Sequence, residues 1–220
     1  MATRFLSVLA ISLLLVFESN GQTSALYIPV TINSPLFAKG KEKELQTGLL
    51  INNFGLNFNL AGLLKNKIII FSIQQNNGNT RFDPLNFNKY YTLGQKSHLI
   101  QSYPTRMRYG ELGFGYDFKH QSQKLSLIAG VGQQFQRMNT RFFLQFDCGN
   151  ESRLINAGLS VRGNYTFVRN EELITIEPVV QGKVKIGKFR IVNQFGYSIA
   201  IKEEHDYMKP ILSAGLQFVI

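Results

Sequence analysis

From Leu45 to the end of the chain, apolar residues recur at every second position, the period of a strand with one apolar face, and helical spacing hardly occurs. Leu45, Thr47, Leu49 and Ile51 share one face against Gln46, Gly48 and Asn52. Asn52-Asn-Phe-Gly55 is a turn signal, after which Leu56, Phe58 and Leu60 alternate with Asn57 and Asn59. Lys65-Asn-Lys67 turns the chain into Ile68 to Gln75, which is apolar on both faces, so the pattern leaves its orientation open. The clearest alternation sets Leu112, Phe114, Tyr116 and Phe118 against Glu111, Gly113, Gly115 and Asp117. Next come Leu125 to Phe135, Phe142 to Phe146, Ile155 to Tyr165, Leu173 to Val184, Phe189 to Ile199 and Ile211 to Ile220. Asp147-Cys-Gly-Asn150 reads as a turn, and Pro178 suggests a bulge.

This pattern predicts an all-β fold, an antiparallel up-and-down transmembrane barrel of about ten strands, with eight and twelve as the neighbouring counts. A soluble barrel would alternate too, so the composition of the polar face decides. Lysines fall almost entirely in turns (Lys65, Lys67, Lys119, Lys185, Lys188, Lys202), while the polar face carries Gly, Ser, Asn and Gln with single charges. Small hydrogen-bonding residues suit a crowded lumen, and a belt of Leu, Ile, Val and Phe suits lipid. The pairs Gly113-x-Gly115 and Gly130-x-Gly132 read as lumen packing and not as phosphate loops, since no helix follows them.

The connections alternate in length. Lys65–Lys67, Lys119–Gln123, Asp147–Ser152 and Lys185–Lys188 are short, whereas the other end holds Asn76 to Met107 and Lys202 to Lys209. Short periplasmic turns and longer outer loops are the asymmetry of outer-membrane barrels. Tyr109, Tyr116, Tyr165 and Tyr197 lie near strand ends and are expected to form the interfacial aromatic girdles, in a chain with 18 Phe, 9 Tyr and no Trp.

Before the barrel, Arg4 and the apolar run Phe5 to Phe17, followed by Ser19 and Gly21, have the three-part layout of a secretory signal peptide cleaved before Gln22. The expected organisation is a signal peptide over 1–21, an irregular periplasmic leader over 22–43 and the barrel over 44–220. The destination is the cell outer membrane. One cysteine, Cys148, cannot form an intramolecular disulfide, and it reads as an inert turn thiol.

Tyr27-Ile-Pro29, Ser34-Pro-Leu-Phe37, the Lys/Glu-rich Lys39 to Glu44 and Leu45-Gln46 at the first strand together resemble the opening of small outer-membrane barrel proteins of the Bacteroidota type. Arg141-Phe-Phe-Leu-Gln145 and Ser213-Ala-Gly-Leu-Gln217 extend the resemblance over most of the mature chain. Members with this opening often carry a lipoprotein cysteine at the mature N-terminus, which this chain lacks. The resemblance assigns no activity.

Candidate chemistry is sparse. The 3 histidines, His98, His120 and His205, have no metal-ligand spacing, so no catalytic residue, cofactor or metal is expected. An outer-rim enzyme using His98, or His205 with Asp206 and Glu203, is the least favoured class. Glu44, Glu111, Asp117 and Glu177 share the inward parity of Arg141, Arg162, Lys183 and Arg190, a near-balanced set. Buried charges are expensive unless paired, which predicts a salt-bridged, closed lumen in preference to a small channel. The net charge of +10 lies mainly in turns and loops. Export and the lack of a clustered basic face argue against nucleic acid. Lys202, Lys209 and Arg106 are expected to meet the phosphates of lipopolysaccharide. The other expected partners are outer-membrane lipid and the barrel assembly machinery, the latter through the C-terminal strand. The expected role is structural or binding, as a monomer, with 76–107 as the contact surface.

Overall fold

The computed structural model describes residues 31–37, 42–52, 55–77, 106–120, 123–135, 139–152, 154–168, 171–201 and 208–220. Its strands are β1 (Lys43–Asn52), β2 (Gly55–Leu64), β3 (Lys67–Asn77), β4 (Arg106–His120), β5 (Gln123–Gln134), β6 (Asn139–Glu151), β7 (Ile155–Val168), β8 (Glu171–Ile186), β9 (Phe189–Ala200) and β10 (Met208–Val219). Each pairs antiparallel with the next, and β10 returns to β1, so the sheet closes into the ten-stranded up-and-down barrel that the alternation predicts. At the seam the Leu45 N–H donates to the Ile220 carbonyl at 3.3 Å, and the Ile220 N–H donates to the Leu45 carbonyl at 2.9 Å.

Following paired residues once around the ring displaces the register by about twelve residues. For ten strands that stagger sets a tilt of roughly 40° and a backbone radius of about 10 Å. The ring is therefore wider than an eight-stranded barrel, whose interior side chains alone would fill.

At one end every connection is short. Lys65-Asn66 and Gly187-Lys188 are two-residue turns, with Gly187 at φ 62 and Lys65 at φ 58, the left-handed conformation such hairpins demand. Residues 78–105 and 202–207 belong to connections at the opposite, loop end.

Parity sorts the side chains as expected, turning polar residues inward and apolar residues outward. Phe114, Leu144 and Val180 expose 59%, 55% and 59% of their surface, whereas Gln145, Arg162 and Glu177 expose 0%. The ladder also orients β3, where Ile69 and Ile73 face outward while Ile68, Ile70, Ser72 and Gln74 are buried inside.

Three sequence expectations change. Asp147 to Asn150 do not turn, because β6 continues to Glu151 and pairs through Asp147↔Ser160 and Cys148↔Leu159. Asp and Gly mimic a turn in composition, but the alternation runs through them, which leaves Cys148 half-buried on the outward parity and not in a turn. Pro178 makes no bulge: Ile176↔Ile199 and Val179↔Gly196 keep one register on its two sides, so the missing N–H interrupts the ladder without shifting the strand. Residues 31–37, expected within a periplasmic leader, are buried in the barrel. A ring this wide needs such a filling, and those residues carry the polar backbone its lining can bond.

Candidate functional site in the barrel lumen

The lumen carries the chemistry because alternation on ten strands aims every second side chain into it. Glu111 on β4 is the hub. Its two carboxylate oxygens each accept from Arg162 Nη1 at 3.0 Å, and Oε2 also accepts from Arg141 Nη2 at 3.3 Å. Arg162 donates further through Nε and Nη2 to Gln145 Oε1, at 3.0 and 2.6 Å, and its guanidinium lies 4.4 Å above the Phe143 ring. The Arg141 Nε donates to the Tyr109 hydroxyl at 2.6 Å, with its guanidinium 4.2 Å from that ring's centroid. Two guanidiniums sharing one carboxylate would repel in a dry interior, and Glu177, buried next to Arg162 in the ladder, brings a second carboxylate to their layer.

A second ion pair lies nearer the tight-turn end. Arg190 Nη2 sits 3.3 Å from Glu44 Oε1, which also accepts from Gln46 Nε2 at 2.5 Å. Lys183 is arranged differently. Its Nζ donates to the main-chain carbonyls of Ser34 and Pro35, both at 2.8 Å, and to Gln217 Oε1 at 3.3 Å. Asp117 is half-buried at the tight-turn end, and its N–H bonds the Asn66 carbonyl. Of the eight predicted lumen charges, the structure therefore brings Glu111, Arg141 and Arg162 into one cluster with Glu177 beside it, pairs Glu44 with Arg190, sets Lys183 on residues 34–35, and leaves Asp117 at the rim.

Asp147 belongs with these charges, though composition hid it in an apparent turn. It is fully buried and accepts from Gln145 Nε2 at 2.9 Å and from Ser126 Oγ at 3.1 Å. Its shared parity with Arg141 and Gln145 was the signal.

Residues 31–37 occupy the centre. The Thr31 N–H donates to Gln74 Oε1 at 3.3 Å, and the Thr31 hydroxyl accepts from Asn52 Nδ2 at 2.7 Å. Gln194 Nε2 donates to the Ile32 carbonyl at 2.7 Å, Gln145 Nε2 to the Asn33 carbonyl at 3.2 Å, and Gln181 Nε2 to the Ser34 hydroxyl. Apolar contacts complete the seat. Ile32 clusters with Val179 and Ile211, and Phe37 with Ala61, Leu63, Ile68, Ile70, Ile128 and Phe143. Leu36 lies so close to Gly149 and Gly158 that a Cβ at either would sit 2.7 Å from its methyl carbons. Lining amides and Lys183 thus bond the carbonyls of residues 32 to 35, and the Ser34 N–H turns back to the Ile32 carbonyl at 3.1 Å, so much of the buried main chain finds partners.

Three of the four girdle tyrosines face outward. Tyr116, at the tight-turn end, accepts from Asn66 Nδ2 at 2.9 Å and packs 5.2 Å from Phe118. Tyr165 and Tyr197 stand toward the loop end, edge-on to Phe167 at 4.7 Å and Phe195 at 5.7 Å. Tyr109 is not part of the girdle: it has the parity of Glu111 and points into the lumen toward Arg141. Nearness to a strand end suggested a girdle, but the strand face determines where the ring goes.

Other expectations lie outside the described residues: the signal peptide, most of the contact loop, His98, His205, Glu203, Asp206 and Lys202. The side chains of Arg106, His120 and Lys209 also fall outside the description. Among the described residues no group of three or more His, Cys, Asp or Glu could hold a metal.

No protein-family model matches the chain, so the resemblance to Bacteroidota barrels has no family match behind it, and no curated protein matches either. Among solved structures the chain is similar to in-vitro-folded OmpT, an outer membrane protein of Vibrio cholerae in trimer form. The identity is 9%, the match covers 81% of this chain and 98% of that chain, and the TM-score is 0.27.

Proposed function

We propose that this protein is an outer-membrane β-barrel of structural or binding role, with a lumen closed to solutes. The occupation of the lumen by residues 31–37 carries this reading. A ring of about 10 Å backbone radius would leave an axial gap inside its lining side chains, and here that gap holds a peptide bonded on several sides.

The outer surface supports the membrane. Outward apolar residues on β7 run from Ile155 to Phe167, which at about 3.4 Å per residue and a tilt of roughly 40° rises about 30 Å, the thickness of a hydrocarbon core. Short connections at one end and the 78–105 connection at the other favour tight turns in the periplasm, with the long loop as the outer contact surface. In this reading Arg106, Lys202 and Lys209 meet lipopolysaccharide phosphates, and the protein acts by binding and not by catalysis.

The test is planar-bilayer recording of the full refolded chain, alongside membrane fractionation and a heat-modifiability gel. A folded, heat-shifting protein without steady unitary currents is expected. Large steady currents would overturn the closed lumen, and a soluble fraction with no heat-dependent shift would overturn the membrane barrel.

A further inference from the structure

The apolar belt does not have one height. Each residue advances about 2.5 Å along the barrel axis and each step to the paired residue on the next strand climbs about 3 Å, so the register assigns every outward residue a level. The lower edge is even: Leu64, Phe118, Ile155, Ile186, Phe189 and Ile220, all exposed, lie within about 3 Å of one level at the tight-turn end. The upper edge is stepped. On β7, β8 and β9 it runs through Phe167, Ile174 and Ile201, about 30 Å above the lower edge, whereas on β1 to β4 it stops at Ile51, Leu56, Ile73 and Leu112, only about 18 Å above it. Beyond that step the outward positions turn polar. Gln75 and Arg108 pair across β3 and β4, Gln133 lies diagonal to Arg108 on β5, and Arg108 and Gln133 are exposed. At the levels of Gln75 and Arg108 the opposite wall presents Ile176 and Ile199.

We propose that the bilayer is thinned by about 10 Å on the loop side of β1 to β4, where the phosphates of lipid headgroups are drawn down to Arg108. A rigid tilt cannot level this belt, because its two sides differ in height: any tilt that relieves the loop end creates a mismatch at the even, tight-turn end. A bilayer thins against a hydrophobic surface that is too short for it. Left flat, it would hold Arg108 and Gln75 in hydrocarbon, where a charge on the lipid face is penalised according to its depth. Lowered headgroups remove that penalty and bring acceptors that a guanidinium matches. Among the described outward residues of β1 to β4 there is no carboxylate, so the charge at the step suits an anionic phosphate. The inference rests on the membrane-spanning reading above.

Two pairs of single-cysteine variants in a Cys148→Ala background test it: Gln75→Cys with Ile176→Cys, and Arg108→Cys with Ile199→Cys, each pair at one level on opposite walls. The full chain is refolded into phosphatidylcholine vesicles with a hydrocarbon core of about 30 Å and labelled with bimane, and only heat-shifting protein is read. All four positions face outward, so the lumen contacts are kept. Iodide quenches from the water and chain-brominated lipid from the hydrocarbon. The labels at 75 and 108 are expected to be quenched severalfold more by iodide than their partners at 176 and 199, which brominated lipid quenches instead. Equal quenching within each pair would overturn the thinning. Labels at 75 and 108 shielded from both quenchers would overturn it too, in favour of a second copy or another protein on that face. Leu64→Cys and Ile186→Cys are expected to lie at equal depth, and a deeper label at 64 would replace thinning by tilt. Labels at 176 and 199 that brominated lipid fails to quench would overturn the membrane reading itself.

Discussion

Replacing Glu111 by Gln probes whether the lumen is dry. The substitution preserves shape, yet it removes the carboxylate that Arg162 approaches at 3.0 Å and Arg141 at 3.3 Å, where all three side chains are 0 to 2% exposed. It also turns an amide that carries N–H donors toward two guanidiniums that can only donate. Removing one partner of a buried ion pair destabilises by about 3 to 5 kcal/mol, because the remaining charge stays uncompensated. With a urea dependence of about 2 to 3 kcal/mol per molar, that loss lowers the unfolding midpoint by roughly 1 to 2 M. The chain has no tryptophan, so the readout is the folded, heat-modifiable gel band across a urea series in lipid. A Glu111→Leu, Arg162→Met double variant is expected to recover much of the loss, since it removes an orphaned cation together with the anion. A midpoint shift for Glu111→Gln below about 0.3 M, less than about 1 kcal/mol, would refute the reasoning. It would mean that water solvates the guanidiniums and that the plugged lumen is wet.

Two further substitutions use the same gel. Tyr109→Phe removes the acceptor that Arg141 Nε reaches at 2.6 Å and is expected to destabilise by about 1 to 2 kcal/mol, whereas Tyr165→Phe on the outer face should change stability by less than about 0.5 kcal/mol. Equal effects would return Tyr109 to the girdle. Gly130→Val drives a side chain into the Phe143 ring and the Leu112 carbonyl and is expected to abolish the folded band, while Gly163→Val, with open space around its Cβ position, is expected to fold normally. A stable Gly130→Val barrel would show that β4 and β5 can separate at that point.

The barrel was legible because its information is local. Two-residue alternation fixes a strand and its faces without reference to any other part of the chain, and Glu44, Glu111, Arg141, Arg162, Glu177, Lys183 and Arg190 are all buried. Errors arose where a local signal competed with that period. Asp147 and Gly149 have turn chemistry and so masked a continuing strand, and Tyr109 was placed by its distance from a strand end and not by its parity. The lumen segment had no local signal. Its partners are Gln74, Gln145, Lys183 and Gln194, and the Lys183 contact to Ser34 spans 149 residues. An irregular stretch with no period of its own becomes readable only when the width of the ring around it is known.

The lumen segment also constrains the order of assembly. The β1–β10 seam joins strands from the two extremes of the barrel sequence, the pairing with the largest loop-closure entropy and the one expected to form last. A ring that shut first would then have to draw the segment in lengthwise, past an apolar cluster and a layer of fixed charges. Laying residues 31–37 along the open, curling sheet and closing the seam over them avoids that passage, so the segment is expected to be in place before the seam closes.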